Sequence, residues 1–296
     1  MRWDDFRRSD NVEDAGSGGG GFPFGGGIRL GGGAIIVIVV VSLLLGKNPL
    51  DVLSLLETGS PPTAQAPAQN STAPGGQAPA APTDPQRDFV RAILGDTEDF
   101  WSAELSRRGA RYQPPKLTLF HGQVPSACGF ASAATGPFYC PGDERVYLDL
   151  RFFQELSQRF GAPGDFARAY VIAHEVGHHV QNLLGIAEKI TRLQHQASQA
   201  EGNALSVRVE LQADCFAGVW GYHANHDRNL IEPGDFESGL RAASAIGDDR
   251  LQHKSSGSVQ PETWTHGSSA QRTTWLRRGL ESGDPKACDT FTDSRL

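Results

Sequence analysis

The sequence predicts an α+β domain in which helix outweighs strand, preceded by a single transmembrane helix and a disordered linker. Three observations carry that prediction. Residues 30–46 hold no charged side chain, and residues 58–86 are dominated by Pro, Ala, Gln, Ser, Thr and Gly. Beyond residue 87, helical patterns outnumber the two short alternating stretches that read as strands.

Residues 1–29 form a Gly-rich segment carrying Arg2, Arg7, Arg8 and Arg29, and only Lys47 closely follows the apolar run 30–46. At about 1.5 Å per residue the run is near the lower limit for a bilayer. The basic bias predicts a cytoplasmic N-terminus and an extracytoplasmic C-terminal domain at the cell membrane. No small-residue cleavage pattern follows at the usual distance, which predicts an uncleaved single-pass anchor. Residues 47–86 then read as a flexible tether, too poor in large apolar residues to pack. Residues 87–296 remain for the folded domain, ample for one core.

Within that domain the patterning predicts a helix over Asp88–Leu105, strands over Lys116–Phe120 and Arg145–Leu150, and a helix over Phe152–Phe160. A helix N-capped by Asp165 and closed by Gly185 follows, then helices over Ile186–Ala200, around Glu210 (capped by Asn203 or Ser206) and over Phe236–Ile246. The strand before the Asp165 helix either offers an edge to an extended peptide or completes the core; sequence leaves both open. The net charge of −7 gives no electrostatic reason to expect nucleic acid. Nothing in the chain sets an oligomeric state. Four cysteines allow three pairings. Cys128–Cys140, closing a short loop, and Cys215–Cys288, tying a helix to the C-terminus, are favoured, and an exported domain suits disulfides.

The chemistry concentrates in His174-Glu175-Val176-Gly177-His178. On a helix, residues four apart share a face, so both imidazoles can reach one Zn²⁺, while Glu175 can reach the activated water as a general base. Gln181 and Leu184 stand where metzincins carry Gly and His, which excludes that class. Glu210 on a later helix is then the expected third ligand, as in gluzincins. Asp214, one turn on, is placed to accept the N–H of a ligating histidine. Cys215 is about 100° round the helix from Asp214, which suits a disulfide better than ligation.

Long segments beyond the motif resemble one family, the bacterial "putative neutral zinc metallopeptidases". They include Met1-Arg2-Trp3 with Asn11-Val12-Glu13-Asp14, Gly136-Pro137-Phe138-Tyr139-Cys140-Pro141, Glu210-Leu211-Gln212-Ala213-Asp214-Cys215, Gly247-Asp248-Asp249-Arg250 and Thr265-His266-Gly267-Ser268-Ser269. The resemblance covers nearly the whole chain. It implies a zincin-like, membrane-anchored metallopeptidase acting on a peptide or protein substrate, with its first two ligands at His174 and His178. His266, in a Gly/Ser-rich turn that recurs in the family pattern, is the first candidate for stabilising the oxyanion, ahead of Tyr222 and His223. Two rival readings are a non-catalytic extracytoplasmic domain with a structural zinc and a scaffold for envelope partners. A fourth protein ligand would favour the former, and a metal-free but intact fold the latter.

Overall fold

A computed structural model of the chain describes residues 1–17, 84–132, 136–293 and 296. The two alternating stretches are strands β2 (Lys116–His121) and β6 (Arg145–Asp149), paired in parallel with Leu117 opposite Val146 and Leu119 opposite Leu148. Their apolar side chains are buried, as parallel strands require. Two strands not foreseen from sequence complete the sheet. β1 (Val12–Ser17) pairs in parallel with β2, and β5 (Phe138–Cys140) pairs antiparallel with β6, giving the order β1-β2-β6-β5. A separate hairpin joins β3 (Gln123–Ser126) to β4 (Gly129–Ser132).

β1 corrects the expected domain boundary, because residues 1–17 are part of the same folded unit as the C-terminal domain. Arg7 pairs with Glu98 and Asp99, Arg8 with Asp88, and Arg91 with Asp10, so the early arginines serve the fold. The consequence for topology is direct. A single crossing at 30–46 would leave β1 and β2 on opposite sides of a bilayer, which their pairing within one chain forbids. The expected arrangement, N-terminus cytoplasmic and domain extracytoplasmic, is therefore incompatible with this sheet. The expected span 30–46 and residues 47–83 of the expected tether 47–86 lie outside the described residues, whereas Pro85 and Gln86 already belong to a helix. Among the described residues no helix is long and apolar enough to cross a membrane.

Eight α-helices are described: α1 (Pro85–Arg107), α2 (Arg151–Gln158), α3 (Asp165–Leu183), α4 (Ile186–Gln194), α5 (Gln199–His226), α6 (Asp235–Ala245), α7 (Asp248–Ser256) and α8 (Ser269–Ser282). Asp165 is the first helical residue of α3, not its cap; its carboxylate accepts a hydrogen bond from Trp3 Nε1 at 3.0 Å. The expected helix 186–200 stops at Gln194. Ser198 and Glu201 form a reciprocal capping box there, so α5 starts at Gln199, before either expected cap. A second capping box, Ser268 with Gln271, starts α8, which the sequence reading missed together with α7.

α5 runs through the core between α3 and α8, and both contacts need a missing side chain. A Cβ on Gly177 would stand 3.1 Å from the Ala213 carbonyl oxygen, and one on Gly279 only 2.1 Å from that of Cys215. These close approaches bring residues 210–214 of α5 against the histidines of α3 on one side and the start of α8 on the other. Cys215 and Cys288 are bonded, fixing the chain after α8 to α5. Cys128 and Cys140 are also bonded, joining the β3–β4 hairpin to β5.

Candidate metal centre and active site

On α3, His174 and His178 stand one turn apart, and their Nε2 atoms approach to 3.2 Å. Glu210 of α5 reaches both, Oε2 lying 3.2 Å from His174 Nε2 and Oε1 3.3 Å from His178 Nε2. Ligand atoms about 2.0–2.1 Å from a tetrahedral centre are about 3.3–3.4 Å apart, close to the spacing of the two nitrogens. The carboxylate puts one oxygen beside each ring, and with one ligand atom taken from each residue all three lie within 4.8 Å of one another, so the cluster can close on one zinc ion. Among the described residues the cluster of potential ligands consists of these three. That leaves one tetrahedral position unfilled by protein, as in catalytic sites and unlike closed structural ones.

The far side of each imidazole fixes its tautomer. Gln181 donates its side-chain N–H groups to the Val209 carbonyl and to Gln212 Oε1, so its Oε1 is left to accept from His178 Nδ1 at 2.9 Å. His174 Nδ1 lies 2.9 Å from Asp214 Oδ1, although at an angle off the ideal for a hydrogen bond. Gln181 thus favours the proton on His178 Nδ1, and the Asp214 carboxylate beside His174 Nδ1 favours the same tautomer there, which when neutral turns an Nε2 lone pair of each ring toward the other. Two such lone pairs beside a carboxylate repel unless a cation or a proton lies among them. Burial alone lowers the His174 pKa, yet Asp214 and Glu210 outweigh it and raise the value to about 10. The site has an excess of negative charge, and a divalent cation answers it as a proton would.

Asp214 is anchored on its other side. Arg272 of α8 makes two bonds of 2.9 Å to its carboxylate, Tyr170 Oη donates to Oδ1 at 2.5 Å, and Arg272 also lies 3.2 Å from that hydroxyl. All three side chains are buried. Burial works to raise the Asp214 pKa, but Arg272 and His174 together hold it below the usual carboxylate range. Sequence spacing pointed to Asp214 but missed Gln181, Tyr170 and Arg272. Tyr170 lies on the histidine face, one turn before His174, which is the signal that could have found it. No local signal marks Arg272, which stands 58 residues from its partner.

A cleft of about 580 Å³ opens over this centre, lined by Glu175, His266 and Arg272 on the chemical side and by Phe138, Tyr139 and Phe160 on the apolar side. Burial pushes the Glu175 carboxyl above its ordinary range, with the two histidines only partly opposing it. His266 enters from the loop before α8. Asp248 Oδ2 accepts the backbone N–H groups of Thr265, His266 and Gly267 at 2.7–3.0 Å, and Asp248 Oδ1 lies 3.3 Å from His266 Nδ1. This contact raises the His266 pKa. Tyr222 and His223 are absent from the cleft lining, and His223 instead bonds Asp227 and the Gly283 carbonyl at the far end of α5. Strand β6 is interior to the sheet; the edge facing the cleft belongs to β5.

Two histidines one turn apart, a glutamate from a later helix and a buried acid beside them constitute the donor set of a gluzincin-type zinc hydrolase. The chain belongs to the family described as "Putative neutral zinc metallopeptidase", which matches residues 1–291. It is 48% identical over 296 residues to the uncharacterized protein YpfJ of Escherichia coli (strain K12), covering 99% of this chain and 100% of that protein. The uncharacterized proteins Rv2575 of Mycobacterium tuberculosis (strain ATCC 25618 / H37Rv) and Mb2605 of Mycobacterium bovis are each 49% identical over 195 residues, covering 62% of this chain and 65% of each relative. No solved structure matches the chain.

Proposed function

We propose that this chain is a zinc-dependent endopeptidase in which His174, His178 and Glu210 hold the ion and Glu175 is the general base. The observation that carries this reading is the convergence of two ring nitrogens 3.2 Å apart with a carboxylate that sets one oxygen beside each, beside a cleft lined by Glu175. When bound, Zn²⁺ supplies Lewis acidity, lowering the pKa of water to about 7 and polarising a carbonyl. Glu175 takes the proton of the attacking water and passes it to the leaving amine, a task favoured by a carboxyl whose pKa burial has raised. His266, kept protonated to higher pH by Asp248, donates to the carbonyl oxygen as negative charge develops there. Asp214, neutralised by Arg272, orients His174, and Gln181 orients His178.

The substrate extends along β5. Among the described residues the outer side of this strand has no strand partner, and Phe138 and Tyr139 line the cleft, so an antiparallel peptide can add to the sheet there. The two disulfides favour an oxidising compartment for the domain, and with it for residues 1–17. The deciding experiment pairs metal analysis with cleavage of an unbiased peptide library. Glu175→Gln is expected to retain about one zinc per chain while losing hydrolysis by about 10²-fold or more. Unchanged turnover in that variant removes the assigned role of Glu175.

A further inference from the structure

Behind the apolar wall of the cleft lies a second depression of about 370 Å³, and three arginines from three helices converge on it. They are Arg241 of α6, Arg250 of α7 and Arg277 of α8. None of them has a carboxylate within ion-pairing distance among the described residues, although Glu237 also lines the depression. Three other arginines of the C-terminal half show the contrast. Arg278, next in sequence to Arg277, pairs with Asp293 at 3.5 Å and stacks over Trp275; Arg272 is buried on Asp214; Arg228 pairs with Asp96. On a chain with 34 acids and 27 Lys and Arg, partners are plentiful. Converging three cations in a concavity is electrostatically unfavourable, and it focuses positive potential on whatever occupies the space.

The depression adjoins the catalytic cleft, since Phe160 lines both. Arg159, beside it, lines the cleft itself and stacks over the Phe160 ring at 5.5 Å. A peptide that extends from the cleft over Phe160 would reach this cationic hollow. Guanidinium groups bind carboxylates through paired, charge-assisted hydrogen bonds, which matches an aspartate or glutamate side chain.

We propose that Arg241, Arg250 and Arg277 form a subsite for an acidic stretch of the substrate, making the enzyme selective for peptides with aspartate or glutamate a few residues from the scissile bond. This rests on the peptidase reading, and the test separates the two. The zinc-loaded full chain is assayed on two peptides of one cleavable core, flanked by glutamates or by glutamines, against the triple variant Arg241→Gln, Arg250→Gln, Arg277→Gln. The expected result is a preference for the acidic peptide of about tenfold or more, abolished by the triple variant and by raised salt, with the neutral peptide cleaved equally by both proteins. An unaltered acidic-to-neutral ratio in the triple variant overturns the proposal. Fluorescence anisotropy of the labelled acidic peptide on the Glu175→Gln chain provides an arm that needs no turnover. Binding that is lost on adding the three Arg→Gln changes supports the subsite even if no peptide is cleaved, an outcome that would sink only the peptidase reading. Equal or absent binding with and without those changes removes the subsite. The three side chains are exposed, so an unchanged melting temperature is expected for the triple variant.

Discussion

Two buried aspartates interact with α5, one at the metal centre and one toward its C-terminal end, and their pKa values are shifted in opposite directions. Asp214 is fully buried yet held below the usual carboxylate range, because Arg272 grips it through two bonds and Tyr170 and His174 close on the same carboxylate. Asp96, 5% exposed, receives Trp220 Nε1 at 2.8 Å and Arg228 at 2.6–3.0 Å. There burial outweighs Arg228 and Trp220, and its pKa rises to about 6. Burial acts in the same direction on both. The partner decides the outcome: each guanidinium makes two bonds to its carboxylate, but Arg272 is itself buried and holds its neighbour's pKa low, whereas Arg228 is 32% exposed and shares its charge with water. The more firmly held negative charge thus sits where a histidine must be oriented toward a cation.

The sharpest way to break that contrast is to remove Arg272. Arg272→Met leaves Asp214 buried and unpaired, and is expected to cost about 3–5 kcal/mol of stability together with zinc affinity. Denaturant unfolding and zinc titration measure both, and a variant as stable as the parent would refute the account of Asp214. Removing the disulfide beside that pair, Cys215–Cys288 with a separation of 73, is expected to cost about 4 kcal/mol; for Cys128–Cys140, with a separation of 12, about 3 kcal/mol follows from loop closure. The first loss should also weaken metal binding, since Cys215 adjoins Asp214. The second should leave zinc in place and change peptide affinity, since Cys140 ends β5. Equal effects of the two pairs on zinc affinity would contradict this division.

The C-terminal end of α5 sharpens the comparison through pH. With a folded pKa near 6 against an ordinary value of 3.8, Asp96 favours the native state fully below pH 3.8, and that contribution declines as pH rises to about 6. In Asp96→Asn the decline is absent. The stability difference, parent minus variant, should therefore fall by about 2 kcal/mol between pH 4 and 7 and stay level above. A difference that rises over that interval would mean that Arg228 governs the carboxylate as Arg272 governs Asp214.

How much of this was legible in the chain depends on sequence distance. The two histidines, Glu175, Glu210 and Asp214 were readable because helical spacing makes neighbours of residues four apart, and the structure brings all five to one site. Both disulfides were readable from loop length and position. Strand β1 was not, because Val12–Ser17 contains two acids and a glycine, and its partner β2 lies about a hundred residues away. β5 is three residues long, below the length at which alternation can be recognised. The boundary between α4 and α5 was misplaced because two moderate caps, Asn203 and Ser206, stood within a helix whose true start is the Ser198–Glu201 box. Arg272, Arg277 and Arg278 stand close together in the chain and carry no spacing signal that separates their roles. The helix turns each to a different environment, toward Asp214, the arginine depression and Asp293 respectively.

A third aspartate lies between the two extremes and carries the smallest expected effect. Asp248 is buried against the loop before α8, where three backbone N–H groups and His266 keep its pKa low against the opposing pull of burial. Its partner is not a guanidinium but a half-exposed imidazole, so here the charge can be switched. Asp248 raises the His266 pKa, so the imidazolium persists to higher pH and is lost as pH climbs through the raised value. Asn at position 248 can still accept the backbone N–H groups through its amide oxygen, while the support for imidazolium disappears. The alkaline limb of kcat should therefore move to lower pH in Asp248→Asn, with parent and variant alike in acid and apart by about tenfold near pH 8. KM and zinc content should hardly change, because neither Asp248 nor His266 belongs to the ligand triangle. An unmoved alkaline limb would show that some other group donates to the oxyanion, and would reduce the Asp248–His266 pair to a brace for the loop.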